Sequence, residues 1–374
     1  MNLSAMIRPE VRDFEPYLPG KPIEEVRREL GLKKVVKLAS NENALGTSSK
    51  ARRAIAASAA ESFRYPEGPG TLLKRDLAKK LGVSEGEIIL GAGSDEIIEV
   101  LAKSFFNRED EIIVSRHAFI RYKMAADLMG AKTIEVPMKN FKHDLGSMAE
   151  KIGPRTKAIF VANPNNPTGT YVTKPEVAAF MKTYAERVGS SERPPFIVFD
   201  EAYYEFAKSL AGDYPEMLEY LKRGVNLVVL RTFSKAYGLA GLRVGYGVAK
   251  SEVIQVLDRV RPPFNVSSVA QAGARAALTD QTHVRKSVAE AAKGLKYLAV
   301  ELKKLNIPFL PSAANFLLLD VSPRKGRDVF QALLKKGLVV RAMDEYGFPE
   351  RVRVTVGTMP ENKFLITRLK ELLS

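Results

Sequence analysis

Between residues 87 and 248 the chain keeps returning to one alternation, a run of apolar residues followed by a polar turn and a stretch with helical spacing. The apolar runs are Glu87–Leu90, Glu111–Val114, Lys132–Glu135, Ala158–Val161, Phe196–Phe199, Leu227–Leu230 and Arg243–Val248. Runs this short and this uniformly apolar predict strands buried on both faces. Helical spacing begins near Ser94 and covers Met124–Met129 and Val177–Val188. Strands alternating with helices imply a largely parallel sheet covered on both sides, with working groups on the loops at the strand ends. Upstream, Ile23, Val26 and Leu30 share a helical face closed by Gly31, Ala51–Ala60 is alanine-rich and helical, and Leu72, Leu73, Leu77 and Leu81 form a face closed by Gly82. Val35–Leu38 is a short apolar run that leads into a polar loop.

Past residue 250 the pattern changes. Ser251–Val260 is amphipathic, Leu295, Leu298, Leu302 and Leu305 mark a long helix, and short strands are predicted at Phe316–Leu319, Leu338–Val340 and Val352–Val356. A capping box, Thr358 with Glu361, opens the last helix. The fold class predicted is α/β: an arm at 1–40 packing with the small domain, a large domain at 41–275, and a smaller α+β domain at 276–374.

The chemistry concentrates on the strand-end loops. After Leu230 come Arg231, Thr232, Ser234 and Lys235, then three glycines and Arg243 within a dozen residues. Lysine forms an imine with an aldehyde, but only about one free amine in a thousand or fewer is neutral at pH 7. Lys235 must therefore be tuned by burial or by a neighbouring positive charge such as Arg243. Hydroxyls at Thr232 and Ser234 together with Arg243 could bind a phosphate, and lysine plus phosphate cradle suggests pyridoxal phosphate. Gly91–Glu96 joins a strand to a helix whose N-terminus suits an anion, provided that the Asp95 and Glu96 side chains point away. Asn163–Gly169 is a turn stiffened by two prolines, and Asp200–Tyr203 ends another strand. Each loop alone reads equally well as an ordinary turn or helix cap. Their shared position on one sheet is what points to a site.

Composition narrows the chemistry. The 374 residues include no cysteine, which excludes disulfides, thiolate metal sites and a cysteine nucleophile. His117, His143 and His283 are far apart with no ligand spacing, so no metal site is expected. A net charge of +15 is spread as pairs such as Arg27-Arg28 and Lys335-Lys336 among acids, which favours small anionic substrates over nucleic acid. The first ten residues show neither a basic nor an apolar signal region, no membrane span is expected, and the cytoplasm is the expected compartment.

At these motifs the sequence resembles the fold-type I pyridoxal phosphate-dependent aminotransferases, and within them the branch acting on histidinol phosphate. The likeness rests on Ser40–Asn43, Tyr65–Gly68, Gly91–Glu96, Asn163–Gly169, Asp200–Tyr203, Ser234–Arg243 and Arg353–Gly357, in family order along nearly the whole chain. The resemblance implies transamination between histidinol phosphate and 2-oxoglutarate, giving imidazole acetol phosphate and glutamate in histidine biosynthesis. It implies that Lys235 holds the cofactor and carries the proton, that Asp200 pairs with the pyridine nitrogen, and that Asn166 and Tyr203 bond the ring's phenolate oxygen. Phosphate contacts map to Ser94, Asp95, Thr232, Ser234 and Arg243, with Tyr65 reaching across from the other subunit of a homodimer with shared active sites. Phe119 maps to the residue stacked on the ring, Arg353 to the arginine that binds the substrate's anionic end, and Arg341, Tyr17 and Asn43 to its helpers.

Two departures border the substrate pocket. Ala44 stands where the family usually has proline after Asn-Glu-Asn, and Arg116–Tyr122 lacks the family's Pro-Thr-aromatic form. Enzymes with much the same motifs act on aromatic amino acids or decarboxylate threonine phosphate, and a binding protein could keep the fold, so the motifs alone leave these alternatives open.

Overall fold

The computed structural model describes residues 6–12, 14–16 and 20–373. Its strands are β1 (Val36–Lys37), β2 (Ile88–Gly91), β3 (Glu111–Ser115), β4 (Lys132–Val136), β5 (Thr156–Ala162), β6 (Phe196–Asp200), β7 (Leu227–Thr232), β8 (Gly245–Val248), β9 (Phe316–Asp320), β10 (Leu338–Val339), β11 (Arg341–Met343) and β12 (Phe348–Thr355). A seven-stranded sheet has the order β2-β8-β7-β6-β5-β3-β4. The pairs β3–β4, β3–β5, β5–β6 and β6–β7 are parallel, and β8 runs antiparallel to both its neighbours.

Strands β6 and β7 are buried along their whole length, apolar through Phe199 and Leu230 and polar only at their C-terminal ends. Alternate residues feed two different cores. Ile159, Val161, Ile197, Phe199, Leu227 and Val229 pack on one face of the sheet. Ala158, Phe160, Val198, Val228 and Leu230 pack on the other. This pleat sends Asp200 and Thr232 toward the second face and Glu201 and Arg231 toward the first.

A third core lies around the antiparallel sheet β11-β12-β9 and includes Leu298, Leu302, Leu317, Val354 and Leu365. The helix Gln281–Lys304 serves two cores, with Val284, Val288 and Ala291 in the first and Leu298 and Leu302 in the third. The N-terminal stretch also divides. Val26, on the helix Ile23–Leu30, packs with Ala39, Leu334 and Val339, whereas Arg8 Nη2 donates to the Leu128 carbonyl at 3.1 Å and Glu10 pairs with Arg108 on the large unit.

Two elements escape the apolar pattern. The helix Ser268–Thr279 is built largely from alanine, with Val269 and Leu278 its only larger apolar residues, which leaves no apolar stripe to see. Its close approach to the helix Ser49–Ala59 explains that composition, since a Cβ on Gly273 would lie 2.9 Å from Ile55 Cγ1. The apolar run Leu338–Val340 is longer than the strand it makes: Leu338 and Val339 pair in parallel with β1, and the chain then starts the separate strand β11 against β12.

Candidate active site

Beyond the C-terminal ends of β5, β6 and β7 lies a cleft of about 350 Å³. Lys235 occupies its floor. Thr232 ends β7, the Phe233 N–H returns to the Val244 carbonyl at 3.1 Å, and the Gly238 N–H closes the turn on the Lys235 carbonyl at 3.0 Å. Gly238 has φ 70°, and a Cβ there would lie 2.3 Å from the Gly46 carbonyl oxygen, so only glycine fits. Lys235 Nζ donates to the Ser40 carbonyl at 3.2 Å. Burial, and then the charge of Arg353, bring this amine down from the ordinary 10.5 to about 8. Burial thus leads, Arg353 comes next, and Arg243, which the sequence suggested, contributes less.

Asp200, at the end of β6, is buried on the same side of the sheet. Its Oδ2 accepts from the Tyr122 hydroxyl at 2.8 Å and its Oδ1 from the Ala202 N–H at 3.1 Å. Burial raises its carboxyl from 3.8 to about 6, against the pull of Tyr122 and the Ala202 N–H. No ion pair reaches Asp200 among the described residues, which leaves it suited to a cationic ring nitrogen. Tyr122 is itself held well above its ordinary pKa by burial and by Asp200, so it stays a donor. Phe119 lines the cleft and meets Tyr122 edge-on at 5.7 Å.

An anion seat closes one end. Ser94 starts the helix Ser94–Phe105, which presents free N–H groups to the cleft. The Thr232 hydroxyl donates to Ser234 Oγ at 3.0 Å, and Arg243 Nη1 donates to the same oxygen at 3.3 Å. A Cβ on Gly93 would lie 2.4 Å from Arg243 Nη2, and one on Gly245 would lie 2.6 Å from the Ser94 nitrogen. Both glycines are therefore needed for the seat. The two acids beside it point away, as its charge demands: Asp95 accepts from Arg121 Nε at 2.7 Å, and Glu96 accepts from the Ala92 N–H at 2.8 Å.

The other end is cationic. Arg341 and Arg353 are cross-strand partners on β11 and β12, so both guanidinium groups emerge on one face and both line the cleft. Arg353 bonds Asn166 Oδ1 through Nη1 and the Ala39 carbonyl at 2.7 Å through Nη2, while Arg341 pairs with Glu345. Lys37 joins them in the cleft wall, paired with Glu42 at 3.0 Å. Tyr203 lines the middle, where its hydroxyl accepts from Asn41 Nδ2 at 2.8 Å.

The structure thus brings together Ser94, Asp95, Phe119, Asn166, Asp200, Tyr203, Thr232, Ser234, Lys235, Arg243, Arg341 and Arg353. It does not bring Asn43 into the cleft. The Asn43 amide is committed to the Ala236 carbonyl at 2.8 Å and Ser287 Oγ at 2.9 Å, so it holds the turn behind Lys235 rather than facing a substrate. Tyr65 is 83% exposed and stacks on Phe264 at 4.9 Å, outside its own chain's cleft. Tyr17 lies outside the described residues. Sequence reasoning passed over Lys37, Asn41 and Tyr122. Asn41 has φ 55°, a conformation that asparagine adopts more readily than most residues. His117 bonds the Tyr346 carbonyl at 2.6 Å, and His143 is buried between Ser115 Oγ at 2.6 Å and the Ala162 carbonyl at 2.8 Å.

Comparison with known proteins gives this geometry a context. The sequence profile of the family described as aminotransferase class I and II matches residues 33–369. The histidinol-phosphate aminotransferases of Moorella thermoacetica and Caldicellulosiruptor saccharolyticus are 46% and 45% identical over 368 residues, covering 98% of this chain and 93% and 100% of theirs. The crystal structure of histidinol-phosphate aminotransferase from Sinorhizobium meliloti in complex with pyridoxal-5'-phosphate aligns with a TM-score of 0.87 at 26% identity, covering 98% of this chain and 97% of that one.

The raised carboxyl of Asp200 makes a stability prediction for the ligand-free protein. A folded-state value of about 6 against an ordinary 3.8 means that stability falls as pH rises through that window and stays lower above it. Asp200→Asn is therefore expected to gain on the order of 1–3 kcal/mol at pH 8 and to lose most of that gain near pH 4.5. Urea unfolding at the two pH values checks it. A stability difference that does not grow with pH would show that Asp200 ionises freely.

Proposed function

The chain belongs to the class I and II aminotransferases, and on that premise we propose that it moves the amino group of histidinol phosphate to 2-oxoglutarate, giving imidazole acetol phosphate and glutamate. The observation that carries this reading is the cross-strand pair Arg341 and Arg353, which opens into the same cleft as Lys235. A substrate with an amine at one end and an anion at the other would span that distance, and two guanidinium groups suit a phosphate as well as a carboxylate. Lys37 adds a third positive charge.

Pyridoxal phosphate fits the residues present. The seat at Ser94, Asp95, Thr232, Ser234 and Arg243 has the donors for its phosphate, and it exists only because Gly93 and Gly245 lack a side chain. Asp200, a buried carboxyl with no ion pair among the described residues, suits the pyridine nitrogen. When bound, this cofactor supplies an aldehyde that condenses with a primary amine and a ring that accepts the electrons of a broken Cα–H bond.

The chain's own residues then divide the work. Lys235, with its amine near 8, would hold the cofactor through Nζ and, once released by the incoming amine, take the proton from the substrate Cα and return it. Asp200 would hold a proton at the ring nitrogen, Phe119 would lie against the ring, and Asn166 and Tyr203 would be the donors for its phenolate oxygen. Arg353, already bonded to Asn166, would hold the substrate's anionic end.

For assembly we propose a homodimer in which Tyr65 serves the partner's phosphate seat, supported by its exposed ring on the exposed Phe264. We keep the division at 1–40, 41–275 and 276–374 as a proposal, although its second boundary falls inside the helix Ser268–Thr279 and the first core reaches past it to Ala277, Leu278 and the start of the helix Gln281–Lys304. Among the described residues no helix is long and apolar enough to cross a membrane. Because phosphorylated substrates do not cross membranes unaided, we place the activity in the cytoplasm.

Steady-state rates with histidinol phosphate, phenylalanine and threonine phosphate test the substrate. Histidinol phosphate is expected to give the highest kcat/KM, and a preference for phenylalanine or release of carbon dioxide from threonine phosphate would overturn the assignment. For the shared site, Lys235→Ala chains mixed with Tyr65→Ala chains are expected to regain activity, since one of the two sites in each heterodimer keeps both residues. A fully active monomer on sizing chromatography at assay concentration would rule sharing out.

A further inference from the structure

Three of the loops that line the cleft leave the C-terminal ends of adjacent strands: the Asn163–Gly169 turn after β5, Asp200–Tyr203 after β6, and Thr232–Lys235 at the end of β7. Backbone bonds continue across these ends, from the Asn163 N–H to the Asp200 carbonyl at 2.9 Å and from the Glu201 N–H to the Leu230 carbonyl at 2.8 Å. On the opposite face from Asp200 and Thr232, the same three strand ends carry a buried polar cluster that the proposed reaction does not use.

Glu201 and Arg231 form its centre. Their side chains are 0% and 5% exposed, Arg231 Nε donates to Glu201 Oε2 at 2.9 Å, and Arg231 Nη2 lies 2.8 Å from the same oxygen. The guanidinium carbon sits 3.5 Å from the centre of the Tyr204 ring. The Tyr214 hydroxyl donates to the Asn163 carbonyl at 2.5 Å and lies 3.4 Å from Glu201 Oε1. One chain of contacts, Asn163 to Tyr214 to Glu201 to Arg231, therefore links the starts of all three loops.

We propose that Tyr214, Glu201 and Arg231 are positioning residues that lock the ends of β5, β6 and β7 in register, and so hold Asn166, Asp200 and Lys235 in the relative placement the reaction needs. The residue that follows Asp200 and the one that precedes Thr232 are aimed at each other through the sheet's far side, so any slip of one strand end against the next stretches a charged contact. An ion pair is a good device for this and a poor one for stability, because apolar residues of similar volume generally hold a core at least as well as a desolvated pair. A pair kept for stability alone could be replaced. A pair kept for register could not, since small misplacements of catalytic groups reduce rates by as much as about a hundredfold.

This inference rests on the transaminase reading, and its test separates the two. The double variant Glu201→Met/Arg231→Met replaces the pair by apolar side chains, and Tyr214→Phe removes the hydroxyl alone. In the double variant the melting temperature is expected to stay within about 5 °C of the parent. Its kcat per bound cofactor is expected to fall about 10- to 100-fold with KM within about threefold. The pH at which the bound cofactor's visible band titrates should shift, and amide exchange at 163–169, 200–203 and 232–235 should accelerate in the cofactor-free protein. A folded double variant with parental kcat, band titration and loop exchange would overturn the proposal. If the double variant does not fold, Tyr214→Phe decides: lower kcat at parental stability supports the proposal, and parental kcat overturns it. A parent protein without transaminase activity would sink the functional reading, while loop exchange in the cofactor-free variants would still test the lock.

Discussion

Lys235 Nζ sits at the bottom of a cleft where burial and the nearby charge of Arg353 both oppose its protonation, and it is met there by the Ser40 carbonyl. An amine that must be neutral part of the time near pH 7 cannot be left in water, where its ordinary value is 10.5. The fold answers that requirement in layers. Fully buried strands carry the lysine inward, a glycine turn that admits no side chain points it at the cleft, and the small antiparallel sheet brings Arg353 over it.

The same enclosure makes Asp200 expensive. With its carboxyl raised to about 6, the ligand-free protein holds two ionisable groups in states that burial disfavours. The expense is concentrated at the strand ends, where Glu201 and Arg231 are also buried on the opposite face. Along the rest of the strands the pleat keeps both faces apolar, and the acids nearest the anion seat are turned onto Arg121 and onto the Ala92 N–H. Buried charge thus gathers at the ends of β6 and β7, in the cleft and directly behind it.

Much of this could be read from the residues in order. Lys235, Asp200 and the hydroxyls of Thr232 and Ser234 stand just after apolar runs, so the strand-end rule was enough to gather them, and the family resemblance brought in Arg353 by its motif and Arg341 as its helper. Contacts between distant segments were not readable. Tyr122 reaches Asp200 across 78 positions and Asn41 reaches Tyr203 across 162, and neither spacing leaves a local pattern. Glu201 illustrates a different limit. Adjacent residues at a strand end face opposite sides of the sheet, so the sequence Asp-Glu could be read as a cap with a solvated carboxylate until the structure buried Glu201 against Arg231. Asn43 shows the reverse case, a motif amide that suggested substrate contact and instead braces the backbone beside the lysine.

The account as a whole depends on how readily Lys235 gives up its proton. Its reactivity toward a small amine-modifying reagent can be followed by mass spectrometry of the Lys235 peptide in the cofactor-free protein as a function of pH. Half-maximal reactivity is expected at about pH 8, rising when Arg353 is replaced by a neutral residue. A midpoint at the ordinary 10.5, unmoved by loss of Arg353, would contradict the claim that burial and that arginine tune the amine.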